Sequence, residues 1–290
     1  MKKRKWLYLL LIIFCLLVFG AYRAIDRVST DTEAPKISMN SELLQVSVQD
    51  PKSALLRGMS ANDSNDGDVT ASLVVESMRL LDQDGTIMVT YAAFDSAGNV
   101  AKAQREVQYT DYESPKFSLS APLIFTQNSN FDVLSVIGAQ DVIDGDIQHR
   151  IRATSLDETS IAMPGSHSVQ FRVTNSLGDT VEHILPVEVY PAGTYAAELT
   201  LSEYLVYLPV GASFRPEAYL GKFTLNRETT SLEGGLPRNY TLHTAGWVDT
   251  QTPGVYSISY TVTYTPENDV RSEYNKTYDG YSKLIVVVEG

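Results

Sequence analysis

The feature that most constrains this chain is an internal repeat. Ala34-Pro35-Lys36 returns as Ser114-Pro115-Lys116, Tyr91 as Phe171, and Asp95-Ser96-Ala97-Gly98-Asn99 as Asn175-Ser176-Leu177-Gly178-Asp179, all at one common offset. Between them, Asp66-Gly67-Asp68-Val69 returns slightly early, as Asp144-Gly145-Asp146-Ile147. Landmarks that recur in one order, with an offset that slips by two and recovers, mark two copies of one unit with a compensated loop change. A third, more divergent copy keeps the later half: Pro164 to Val173 reappears as Pro253 to Val262. It lacks the Asp-Gly-Asp landmark.

Within each copy the pattern has period two. Tyr256, Ile258, Tyr260, Val262 and Tyr264 alternate with Ser257, Ser259, Thr261 and Thr263; Ile87, Val89, Tyr91 and Ala93 alternate likewise, as do Val169, Phe171 and Val173. Successive side chains of a strand point to opposite faces, so each run predicts a strand with one apolar and one polar face. Asp-Gly or Pro-Gly precedes each run, and Gly98 and Gly178 follow two of them where the chain must reverse. A further strand is predicted to close each copy, at 106–109, 187–190 and 283–288. Short strands punctuated by turns, with little helical periodicity, predict an all-β chain of antiparallel sandwiches. Copies of this length suit three tandem immunoglobulin-like β-sandwich domains, at 32–110, 111–190 and 191–290. The single cysteine, Cys15, permits no disulfide inside them. Their cores must close by apolar packing, with Tyr91, Phe171 and Tyr260 as central members.

The quoted residues resemble a known group. Ala34-Pro35-Lys36-Ile37, Asp66 to Thr70, and Tyr91 to Asn99 are similar to the bacterial immunoglobulin-like domains of Gram-positive surface proteins, with related modules in hyalin-repeat proteins and beside insecticidal crystal toxins. The resemblance covers residues 33–190, and in the third copy Pro253 to Val262 and the last strand. It implies spacer, adhesive or carbohydrate-contacting roles and specifies no activity.

The N-terminus sets the expected location. Lys2, Lys3, Arg4 and Lys5 precede an unbroken apolar run from Trp6 to Tyr22, about 25 Å long as a helix. This predicts a cytoplasmic basic tail and one N-terminal transmembrane helix in 1–22, a linker at 23–31, and everything later outside the plasma membrane. Cleavage as a secretory signal near Gly20, giving a secreted protein, is the competing reading. Phe14 before Cys15 argues against a lipoprotein. Of 23 Lys and Arg, four lie in the basic tail, leaving 19 against 35 Asp and Glu. A surface of that sign repels nucleic-acid phosphates and sets nucleic-acid binding aside.

Two groups stand out as candidate sites. Asp63, Asp66, Asp68 and Asp95 could supply carboxylates to calcium at a domain end, although the spacing is not an EF-hand. The alternative is that these side chains bond nearby amides and build turns. In the third copy, which holds 11 of the 17 tyrosines, Trp247, Tyr274, Tyr278 and Tyr281 are candidates for ligand contact, the last three around an expected hairpin tip at Asp279-Gly280. Catalysis finds no support: His149, His167, His183 and His243 have no metal-ligand spacing, and no nucleophile elbow or phosphate loop occurs. The expected function is a non-catalytic adhesive or scaffolding surface protein needing no cofactor, calcium aside. The first two domains would form a stalk and the third would meet a protein or cell-wall glycan. An accessory subunit of an envelope assembly and a wall-glycan-binding module are the alternatives.

Overall fold

The computed structural model describes residues 6, 11–21, 31–129, 131–157, 160–192, 197–266 and 277–290. Trp6 and residues 11–21 are helical with exposed side chains. No helix among the described residues is long and apolar enough to cross a membrane, and the rest of the expected span lies outside them.

From residue 36 onward the described residues are β-rich, and the helical segments among them are short 3-10 turns between strands. The first copy contributes β1 (Lys36–Met39), β2 (Leu43–Val46), β3 (Met59–Asp63), β4 (Gly67–Asp68), β5 (Val74–Leu80), β6 (Thr86–Phe94) and β7 (Val100–Tyr109). The second contributes β8 (Lys116–Leu119), β9 (Ile124–Thr126), β10 (Ile137–Asp141), β11 (Gly145–Asp146), β12 (Arg152–Ser155), β13 (Gly165–Thr174) and β14 (Thr180–Tyr190). The third contributes β15 (Ala197–Leu201), β16 (Leu205–Pro209), β17 (Leu220–Leu225), β18 (Glu228–Ser231), β19 (Tyr240–Ala245), β20 (Gly254–Tyr264) and β21 (Tyr278–Glu289).

Pairing repeats with the sequence. The first copy forms sheets β1-β3-β4 and β2-β7-β6-β5; the second forms β8-β10-β11 and β9-β14-β13-β12. The third keeps these pairings and adds a parallel contact of β15 with β21, which joins its strands into one seven-stranded sheet. The third copy also lacks the Asp-Gly-Asp landmark for a local reason. Leu225 pairs directly with Glu228, so Asn226 and Arg227 form a two-residue hairpin with φ of 52° and 72°. Such turns need positive φ at both positions, which asparagine tolerates better than most residues. The first two copies instead use a longer turn closed by Gly67 and Gly145, at φ 74° and 71°.

The alternating runs place their apolar faces inward. Ile87, Val89, Tyr91 and Ala93 of β6 are fully buried, and Tyr91, Phe171 and Tyr260 sit at the matching core position of each copy. The predicted closing strands lie within β7, β14 and β21. Asp279 and Gly280, expected at a hairpin tip, lie instead inside β21. Gly280 faces the Phe223 ring, and a Cβ there would come within 3.0 Å of it. The glycine serves close packing, not chain reversal.

The described chain divides into two compact units, Met1–Tyr112 and Glu113–Gly290. The second contains both later copies, and β21 explains why. Its residues Leu284, Val286 and Val288 enter the core of the third copy, with Phe223 and Tyr260. Its alternate residues Ile285 and Val287, with Leu205 of β16, enter the core of the second copy beside Phe171, Leu185 and Val187. A strand covered on both faces has no polar face to present, which is why Leu284 to Val288 is an unbroken apolar run. The same joint buries the Tyr207 phenol, whose oxygen accepts from the Phe117 amide at 2.8 Å. Burial holds that phenol far above its ordinary range.

His183 lies in this joint, its ring 5.6 Å from Phe117 and 6.3 Å from Tyr207. Burial pulls its pKa below the ordinary 6.5, against the Glu182 backbone and the Glu289 charge, which act the other way. The unfolded chain therefore takes up this proton first as pH falls. His183 contributes fully above about pH 6.5, and its contribution is lost as pH drops from there towards the folded-state value. We expect the melting temperature of Glu113–Gly290 to fall between about pH 7 and about pH 5 more steeply in the wild type than in His183→Gln. Equal slopes in the two proteins would remove His183 from the account.

Candidate functional site

The aspartates of the repeat build turns, and they do so alike in two copies. Asp63 Oδ1 accepts from the amides of Asn65 and Asp66 at 2.8 and 3.1 Å, as Asp141 Oδ1 does from Ile143 and Asp144. Asp66 spans to the turn after β6, where its two oxygens accept from the Ser96 amide and hydroxyl at 2.6 and 2.8 Å. Asp144 makes the same pair of bonds to Ser176. Asp68 accepts from the Thr70 amide at the start of the following 3-10 turn, as Asp146 does from Gln148. Thr70 holds the Asp68 carboxyl below its ordinary range. Asp95 is held low too: burial opposes this and is outweighed by Asn99 and the amides of residues 97–99.

Of the four carboxylates read as a calcium set, the structure groups only two. Oxygens of Asp63 and Asp66 lie within 4.8 Å of each other and of one from Asp31. Asp68 and Asp95 are not members of that group. Asp31 escaped the sequence pattern because it precedes β1, far along the chain from its partners. Its signal was present in the repeat, where Thr30-Asp31 returns as Thr110-Asp111.

The aromatic candidates do not form one surface. Trp247 is 71% exposed and sits 6.0 Å from the Tyr256 ring. Tyr278 pairs opposite Tyr264 at the other end of β20 and stacks with it at 6.5 Å. The stretch of strand from Tyr256 to Tyr264 spans about 26 Å. Tyr274 lies outside the described residues. Tyr281 projects from the face of β21 opposite to Tyr278, stacks on Tyr190 at 6.4 Å and donates to Asp279 Oδ2 at 3.3 Å. Burial pushes its phenol upward, and Asp279 adds to this.

Tyr281 lines a cleft of about 580 Å³ between the second and third copies, with Pro122, Glu198, Thr200, Tyr204 and Thr224. That volume is within the range of small-ligand sites. The lining joins two aromatic rings to hydroxyls and one carboxylate. Sequence pattern could not find it, because its walls come from four separate segments of the chain. His167, at a core-strand position, is 4% exposed, and its Nε2 is 2.8 Å from the Met163 carbonyl oxygen.

Repeated seven-strand pairing with carboxylate-built turns defines a β-rich modular protein. No family model matches the chain. Among curated proteins, one described as an uncharacterized 81.3 kDa protein of Acholeplasma phage L2 is 27% identical over 184 residues, covering 61% of this chain and 23% of its own. Pesticidal crystal protein Cry22Aa of Bacillus thuringiensis is 25% identical over 161 residues, covering 53% and 22%. The chain thus spans less than a quarter of these relatives' length. Among solved structures, CBM51-2 in complex with GlcNAc and INT domains from Clostridium perfringens ZmpB aligns with 88% of this chain and 44% of that one, at 13% identity and a TM-score of 0.22. Mouse Cadherin-23 EC22-24 aligns with 88% and 99%, at 12% identity and a TM-score of 0.20.

Proposed function

We propose that this chain is a bacterial surface protein that carries three immunoglobulin-like modules outside the cytoplasm, held at the plasma membrane by residues 6–22. Its role is non-catalytic, adhesive or scaffolding. The ligand-contacting body is residues 113–290. The first copy is the spacer that connects this body to the membrane segment. The observation that carries this reading is the cleft at Tyr281: it combines Tyr281, Glu198, Thr200 and Thr224 on paired strands with the Tyr204 ring from the turn between β15 and β16. A site on paired strands is better preorganised than one on loops. Ring faces beside hydroxyls suit a saccharide, which makes a cell-wall glycan the favoured ligand.

The test uses point substitutions. Deleting residues 191–290 would remove Leu205, Ile285 and Val287 from the second copy's core and confuse binding with folding. Protein with and without Tyr204→Ala plus Tyr281→Ala is incubated with purified wall glycan and, separately, with solubilised membrane proteins. Retention on glycan, lowered about tenfold or more by the double substitution at unchanged melting temperature, is the expected result. Retention by membrane proteins alone supports an accessory subunit instead. Retention on glycan that ignores the substitutions removes the cleft from the reading.

A further inference from the structure

We propose that the first copy holds a calcium ion between Asp31, Asp63 and Asp66, and that this ion fastens the chain ahead of β1 to the module. The proposal is independent of the ligand reading above. The second copy serves as an internal control, because there the matching carboxylates are satisfied by protein groups. Asn175 Nδ2 donates to Asp141 Oδ2 at 2.9 Å, and Arg150 pairs with Asp144 Oδ2 at 2.6 Å. The first copy has lost both partners: Asp95 stands in place of Asn175, and Ser72 in place of Arg150. Ser72 is engaged elsewhere, with the Val69 carbonyl oxygen and the Phe94 amide. An extra carboxylate, Asp31, arrives instead, whereas its repeat counterpart Asp111 accepts from Ser47 and Val48.

The outcome is a group of three carboxylates, none of them in an ion pair among the described residues. Asp63 is only 6% exposed, and its Oδ2 has no hydrogen-bond partner among the described residues. A buried carboxylate oxygen without a partner is strongly unfavourable, and a cation removes that penalty. The spacing fits one. Calcium binds oxygen at roughly 2.3–2.6 Å, so ligands on opposite sides of the ion stand about 5 Å apart, and here all three oxygens lie within 4.8 Å of one another. Carboxylate oxygens that already accept one hydrogen bond keep a second lone pair, so Asp66 can hold Ser96 and a metal together. Asp31 is already placed, since its carbonyl oxygen accepts from Asn99 Nδ2 at 3.2 Å. Water would complete the coordination.

The experiment is hydrogen exchange on the full chain in mild detergent, stripped with chelator and then titrated with calcium chloride. Amides of residues 31–34, 36, 64–66 and 96–99 should slow by about tenfold when calcium reaches about nine times its dissociation constant, while 142–146 and 176–179 stay unchanged. Asp63→Asn should lose the response. The triple variant Ser72→Arg, Asp95→Asn, Asn99→Asp transplants the second copy's solution. It should slow exchange without calcium and no longer respond to it. The proposal is overturned if calcium up to about 5 mM, beyond the range typical of extracellular modules, changes nothing. It is equally overturned if Asp63→Asn responds like the wild type or magnesium alone gives the effect.

Discussion

Replacing Ile285 with alanine should destabilise the second and third copies together, by about 2–5 kcal/mol, the usual cost of emptying a fully buried aliphatic site. Ile285 is 1% exposed. It belongs by sequence to the third copy, yet its side chain lies in the core of the second, with Phe171 and Leu185. The loss should therefore appear as a lower midpoint for one joint transition, not as a third copy that melts early beside an unaffected second. Denaturant unfolding followed by exchange protection in β13 and β20 reads both at once. Ile184→Ala is the control: that side chain is 53% exposed and should shift stability by no more than about 0.5 kcal/mol. Loss of protection in β20 alone would show that the two copies do not share a core.

The second large effect concerns charge. Lys283 of β21 pairs with Glu188 of β14 in the same joint, with side chains only 8% and 18% exposed. Glu188 also accepts from the Ser166 hydroxyl at 2.9 Å. Lys283→Met removes the cation and leaves a carboxylate in a poorly solvated place. Breaking a buried pair from one side costs roughly 3–5 kcal/mol, and the residual exposure of Glu188 puts the expected loss near the lower end. Adding Glu188→Leu should recover most of it, because two apolar chains replace two charges. A double variant as unstable as Lys283→Met alone would mean that packing volume, not the unpaired charge, set the cost.

Much of this was legible beforehand because turns and strands are local. Asp-Gly-Asp and Ser-x-Gly fix backbone direction through their own side chains and glycines, so the repeat could be read without the fold. Tyr91, Phe171 and Tyr260 followed from alternation. The joint was visible only as an anomaly: Leu284 to Val288 fails to alternate, and a strand with two apolar faces implies a second covering surface without saying which. Gly280 was misread because glycine marks both turns and close packing, and only the approach of Phe223 decides between them. The candidate sites fared worse for a related reason. Sequence proximity gathered Asp68 with Asp63 and Asp66, and a place at the end of a later strand added Asp95, whereas folding brings Asp31 to Asp63 and Asp66 alone. It also gathered Tyr278 with Tyr281, which an odd spacing along one strand sends to opposite faces.

The three copies form two bodies, a single module and a fused pair that bears the cleft. Scanning calorimetry of the full chain tests this most directly. Two heat-absorption transitions are expected, with Ile285→Ala and Lys283→Met each moving the same one. Three separate transitions, with these substitutions shifting only the third copy's, would contradict it.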